Sequence, residues 1–226
     1  MRTLYHWPLD PGSRQVRLAL AEKKLKFKLE TVIPWAPGDA FLNLCTEGIP
    51  PCLVEETSTE KFVMGTARAI TEYVADNNSG RYPLLPTNPQ DKAKVRRLAQ
   101  WFDVKFSGDV DAYILSEKLE KSLSGSGAPD PSVLRTGRAH LNFHLEYLTW
   151  LLENRDWLAG RTISLADLAG GAHISCLDFL GEINWDKWDT LKEWYQKLKS
   201  RPSFQPLLKD TLPGLRAPQH YADLDF

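Results

Sequence analysis

The chain is poor in everything that would commit it to an oxidising compartment, a polyanion or a membrane. Its 226 residues include only three cysteines, Cys45, Cys52 and Cys176, an odd number without CxxC spacing. This excludes a disulfide framework and a cysteine zinc site, fits a reducing cytoplasm, and makes each thiol a small buried apolar residue. No other metal site is expected. Charge of one sign is also lacking: 28 Lys and Arg against 29 Asp and Glu leave a net charge of −1. No large basic field is left to attract nucleic acid or an anionic membrane. No apolar run approaches the length of a membrane span. The opening MRTLYHWPLD has no charged segment followed by an apolar one, so no signal peptide is expected. There is no internal repeat. What remains is a soluble globular composition, long enough for two domains.

The first part of the chain alternates strand and helix signals. Residues 3–6 read as a short strand. Ser13 suits an N-cap for an apolar helical run through Val16, Leu18, Ala19 and Leu20, ending near Lys23-Lys24. Residues 26–32 (KFKLETV) alternate apolar and polar as a half-buried strand does, and Pro34, Pro37 and Gly38 end it. Residues 52–54 and 61–63 flank a polar turn and predict a hairpin. Ala67, Ile70, Thr71 and Val74 return to helical spacing. The order β-α-β, connecting segment, β-β-α is a thioredoxin-like α/β layout, assigned to residues 1–80. A turn-rich linker follows at 81–90. An all-helical domain at 91–210 comprises long amphipathic stretches at 91–122 and 132–154, then helices at 164–180 and 187–200 and a short piece at 204–208. A tail occupies 211–226. Lys92, Lys94, Arg96 and Arg97 read as a solvated helix face.

Within the helical part, Thr162-Ile163-Ser164-Leu165-Ala166-Asp167 reads as a capping box, with Asp167 reaching back to the N–H of Ser164. Gly170-Gly171 predict close helix contact, since glycine inside a helix otherwise costs about 1 kcal/mol. With that capping motif, four others stand in order. They are Leu4-Tyr5-His6 with Ser13-Arg14; Gly48-Ile49-Pro50-Pro51-Cys52-Leu53-Val54; Ala69-Ile70 with Tyr73-Val74; and Leu191, Trp194-Tyr195, Leu198, Arg201-Pro202 and Phe204. Together the chain resembles the glutathione transferase family over about nine-tenths of its length. The resemblance implies the glutathione transferase fold. It also implies a glutathione site made of a turn hydroxyl or thiol, the backbone of the residue before a cis-proline, and an acidic-Ser pair at the third helix.

At those positions this chain differs. Asp10 stands where the turn donor belongs, in Asp10-Pro11-Gly12-Ser13-Arg14. A carboxylate beside a thiolate raises the sulfur's pKa instead of lowering it. Pro50, before the expected cis Pro51, has no N–H to offer. Thr66-Ala67 replaces the acidic-Ser pair. With Ser13 or Tyr5 as the only substitute donors, the site reads as degenerate, no catalytic residue is assigned and no cofactor is expected. Two features outside the generic fold point to the surface instead. One is Trp35, on a stiff Pro34-Trp35-Ala36-Pro37 loop that suits an exposed interface anchor. The other is the ending Tyr221-Ala222-Asp223-Leu224-Asp225-Phe226, acidic and apolar in alternation, which suits docking on a groove with a basic rim or lying back on its own helices. These features are similar to a branch of glutathione-transferase-like bacterial cell-division proteins. That branch implies a dimeric, non-catalytic, cytoplasmic protein at the division site that binds and curves or bundles FtsZ filaments. Trp35, Tyr221, Asp223, Leu224, Asp225 and Phe226 are then the candidate partner contacts. The competing expectation is a glutathione-dependent transferase or isomerase with a rearranged site.

Overall fold

The computed structural model describes residues 1–77 and 83–226. Four strands, β1 (Arg2–His6), β2 (Lys28–Thr31), β3 (Cys52–Glu56) and β4 (Lys61–Gly65), make one mixed sheet in the order β2-β1-β3-β4. β1 pairs in parallel with β2, Leu4 opposite Leu29, and antiparallel with β3, Leu4 opposite Leu53. The parallel pair needs a crossover, supplied by α1 (Pro11–Glu22). The β3–β4 hairpin sets Val54 opposite Val63, and α3 (Ala67–Asp76) follows it. Leu4 and Leu53 bury against Val16 and Leu20 of α1 and Ile70 and Val74 of α3. The βαβ–ββα order read from the sequence is thus present.

Two local expectations need correction. Ser13 is not the cap of α1. Asp10 is, its Oδ2 accepting the Ser13 N–H at 2.6 Å, while Pro11 occupies the first turn, where a missing N–H costs nothing. β2 is not half-buried either. All four of its residues are exposed, Leu29 at 42%. β2 is a sheet edge, and the next element, α2 (Asp39–Leu42), is a single turn that buries Phe41 but is too short to cover a strand.

The helical part opens with an unbroken run. α4 (Pro89–Trp101) continues through a π-helical segment (Phe102–Asp111), α5 (Ala112–Leu115), a second π-helical segment (Ser116–Glu120) and α6 (Lys121–Ser124), ending at Gly125 with φ +72°. α7 (Pro131–Leu152), α8 (Leu165–Phe179) and α9 (Asp189–Lys199) complete it. α8 is buried at every residue and packs on both α1 and α4. Its capping reach-back forms: Asp167 Oδ2 accepts from Ser164 N–H and from Ser164 Oγ–H, each at 2.9 Å. The glycine pair sits where helices touch. A Cβ on Gly170 would lie 2.8 Å from Phe102 Cζ, and one on Gly171 would lie 2.9 Å from Leu198 Cδ1. One continuous apolar core runs from Leu4 through α8 to Phe204. The expected boundary at residue 80 and the start of the expected linker, residues 81 and 82, lie outside the described residues.

Candidate functional site

A cleft of about 560 Å³ opens between the start of α1, the Pro50-Pro51 turn, the start of α3 and the first π-helical segment. Asp10, Pro50, Pro51, Thr66 and Ala67, widely spaced in the chain, all line it. Pro50-Pro51 is cis, and Thr66 has φ +60°. Ser13 does not join them. It is fully buried, and its Oγ accepts the Trp7 N–H at 3.1 Å. Tyr5 is no donor to the cleft either: its ring packs on Phe41, 5.7 Å between centroids. Neither residue whose hydroxyl was considered from sequence therefore lines the cleft.

On this wall the chain presents few groups to a peptide-like ligand. Pro50 has no N–H, and Ala67 has neither hydroxyl nor charge. The Asp10 carboxylate is consumed as the α1 cap, and burial pushes its pKa up against the opposing Ser13 hydrogen bonds. The cleft's hydroxyls belong to Thr66, Ser107 and Ser116, none of them at the turn after β1.

An ion-pair lattice that sequence reasoning missed ties this wall to the helical part across the cleft. Arg68 holds Asp103 Oδ2 at 2.6 Å, and Gln15 Nε2 donates to Asp103 Oδ1 at 2.8 Å. His173 Nδ1 meets Asp111 Oδ2 at 2.5 Å. Burial disfavours charge on His173, but Asp111, with Asp103 and Asp10 nearby, outweighs it and holds the pKa above the usual imidazole value. The available signal was His173 itself, a titratable side chain in the middle of α8, between Asp167 and Asp178.

The surface features divide. Trp35 is half-buried, edge-on to Trp7 at 5.3 Å, so the Pro-rich loop lies down on its own domain instead of standing free. Tyr221 is corrected outright: it is 1% exposed and cannot be a partner contact. Its hydroxyl accepts from Arg14 Nη1 at 3.0 Å and donates to the Leu207 carbonyl at 3.2 Å. Arg14, itself fully buried, needs that hydroxyl as an acceptor, and the sequence carried no sign of that need. Phe226 is half-buried, its ring against Trp185 at 5.3 Å and under Lys199 Nζ at 3.9 Å, with its carbonyl accepting from Gln196 Nε2 at 3.2 Å. Leu224 is half-buried; Asp223 and Asp225 are exposed. The tail thus straps back over α8 and α9.

The fold and cleft define the class of protein. Family models for the N-terminal and C-terminal domains of glutathione S-transferase match residues 11–77 and 136–210, and the chain belongs to that family. Within it, the chain is similar to FtsZ-localized protein A of Caulobacter vibrioides, 49% identical over 225 residues, covering 100% of this chain and 98% of that protein. The solved structure of FzlA from C. crescentus superposes with a TM-score of 0.97 at 49% identity, covering 100% of this chain and 99% of that one. A structure described as a glutathione S-transferase from Rhodospirillum rubrum matches with a TM-score of 0.95 at 42% identity over 100% of both chains.

Proposed function

We propose that this protein is a non-catalytic member of the glutathione S-transferase family that binds FtsZ filaments at the bacterial division site and curves or bundles them to promote constriction. The observation that carries the reading is full-length likeness, 49% identity, to a protein named for its localisation to FtsZ. The cleft supports it: Pro50 brings no N–H to it and Ala67 neither hydroxyl nor carboxylate, at positions where the family's glutathione site uses a backbone donor and an acidic-Ser pair. A cytoplasmic two-fold dimer would present each contact twice, so that it could bridge or bend a repeating filament by avidity. The contacts are narrowed to the accessible groups, Trp35, Asp223, Leu224, Asp225 and the edge of Phe226.

Co-sedimentation with polymerised FtsZ tests this. The full chain pellets with filaments, and Asp225→Lys, at an exposed position, reduces pelleting without changing the melting temperature. Absence of the full chain from the pellet would sink the reading. Unchanged pelleting of Asp225→Lys, and of a chain lacking residues 222–226, would remove the tail from it. Millimolar glutathione leaves the melting temperature unchanged; a saturable rise would favour the transferase alternative.

A further inference from the structure

Arginines in this chain are mostly paired. Arg14 and Arg17 share Asp210, Arg68 holds Asp103, Arg138 holds Glu182 and Arg201 holds Glu22. Among the described residues, Arg97, Arg135, Arg155, Arg161 and Arg216 have no carboxylate partner, and three of these five line one pocket. Arg97 comes from α4, and Arg155 and Arg161 from the loop between α7 and α8. All three are exposed. The pocket holds about 530 Å³, a volume in the range of small-molecule sites.

Its lining carries an excess of positive charge. Asp91, the carboxylate lining it, is engaged by Lys94 at 2.8 Å, which leaves three guanidinium groups facing one concavity on a chain of net charge −1. Arg155 and Arg161 also line a neighbouring hollow with Glu153 and Asp156, but among the described residues no ion pair joins either arginine to these carboxylates. Arg155 is already oriented, its Nη1 donating to the Leu158 carbonyl at 3.0 Å. The N-terminus of α8, at the Ser164 wall, is capped by Asp167, so anion recognition there falls to the guanidinium groups. A carboxylate fills one guanidinium fork, whereas a phosphate or diphosphate offers enough oxygens for several. Below the cations lie buried Leu84, Leu85 and Val95 and half-buried Ile163, an apolar floor for the uncharged part of a ligand.

We propose that this pocket is a binding site for a small organic phosphate, with Arg97, Arg155 and Arg161 holding the phosphate oxygens and the Leu84–Ile163 floor taking the apolar or ring portion. The site is separate from the Pro50-Pro51 cleft and stands whether or not the chain binds FtsZ.

Isothermal calorimetry on the full chain at fixed ionic strength tests it, with inorganic pyrophosphate and ADP as probes and adenosine as the uncharged comparison. Pyrophosphate and ADP bind saturably at millimolar or lower concentration, ADP at least as tightly, and adenosine does not. Arg97→Gln and Arg161→Gln, both at exposed positions, each weaken binding about tenfold. Arg135→Gln, an unpaired arginine on α7 away from the pocket, leaves it unchanged. Absence of saturable binding overturns the proposal. So does equal weakening by Arg135→Gln, which would reduce the effect to the chain's overall charge. ADP binding more weakly than pyrophosphate would overturn the role given to the apolar floor.

Discussion

Two buried ionisable side chains pull the pH dependence of stability in opposite directions. His6 is 4% exposed, and its pKa is pushed down to about 4, by burial first and by the Arg17 guanidinium second. Asp167 is fully buried and is pushed up to about 6 by burial, although Leu158 N–H, Ser164 and Trp194 Nε1 all donate to it. With a depressed histidine, the unfolded chain takes up a proton near pH 6.5 that the folded chain refuses, so this contribution is lost as the pH falls toward 4. With a raised carboxyl, the folded chain keeps a proton that the unfolded chain releases near pH 4, so that contribution is lost as the pH rises through 6. Each amounts to about 3 kcal/mol. Relative to the unmodified chain, His6→Phe therefore gains stability as the pH falls from 6.5 to 4, and Asp167→Asn loses it. Urea unfolding across that range reads both, and slopes of the same sign in the two variants would contradict the assignment. Both residues sit in motifs visible in the sequence, but nothing local says that either is desolvated.

At the scale of the element, two helical glycines separate packing from propensity. Gly170→Ala gains about 1 kcal/mol of helix propensity but drives a methyl into Phe102 and Leu158, both fully buried; overpacking of this kind costs about 1–3 kcal/mol, for a net loss of about 1 kcal/mol. Gly108, in the first π-helical segment, has nothing within 4 Å of its absent Cβ, so Gly108→Ala stabilises by about 1 kcal/mol. Denaturant midpoints moving in the same direction for both would refute this. The Gly170-Gly171 contact, the reach-back of Asp167 and the β3–β4 hairpin were legible because their causes lie within a few residues. The exposure of β2, the π-helical turns after Trp101 and the cap at Asp10 were not. The first depends on what a neighbouring element fails to cover. The second depends on the packing of a whole helix. For the third, the sequence pointed to Ser13, and the chain's path out of β1 instead set the Asp10 carboxylate over the first turn, against the Ser13 N–H.

The whole molecule is closed by its tail. Arg14 of α1 donates to Ser175 of α8 at 2.7 Å and to Tyr221 of the tail at 3.0 Å, binding the α/β part, the central helix and the last residues into one buried knot. Beyond it, Phe226 rests on Trp185 and Tyr195 beneath buried Lys199, whose Nζ also donates to the His220 carbonyl at 3.1 Å. Removing residues 222–226 costs about 2 kcal/mol through the lost ring contacts and cation–π interaction, a fall in melting temperature of about 4–8 °C for a chain of this size. Thermal unfolding measures it, and an unchanged midpoint would mean that the strap adds no stability. The same experiment matters for the filament assay, because a truncated tail changes the fold as well as the surface. Charge reversal at exposed Asp225 separates the two effects.

By itself the sequence determined the family, the order of strands and helices, the cis turn at Pro50-Pro51, and the loss of donors from the old ligand wall. The family and the cis turn came through the motif resemblance; the lost donors follow from residue chemistry that no packing can alter, since proline has no N–H and alanine no hydroxyl, and the element order follows from local periodicity. Only the tertiary structure decided which side chains remain available to a partner. It buried Tyr221, laid Trp35 on Trp7, paired Arg68 with Asp103 and His173 with Asp111 at the cleft, and gathered Arg97, Arg155 and Arg161 around one pocket with no carboxylate partner among the described residues. Accessibility and pairing belong to residues far apart in the chain, and their meeting is fixed by the shared core and not by the neighbours of either.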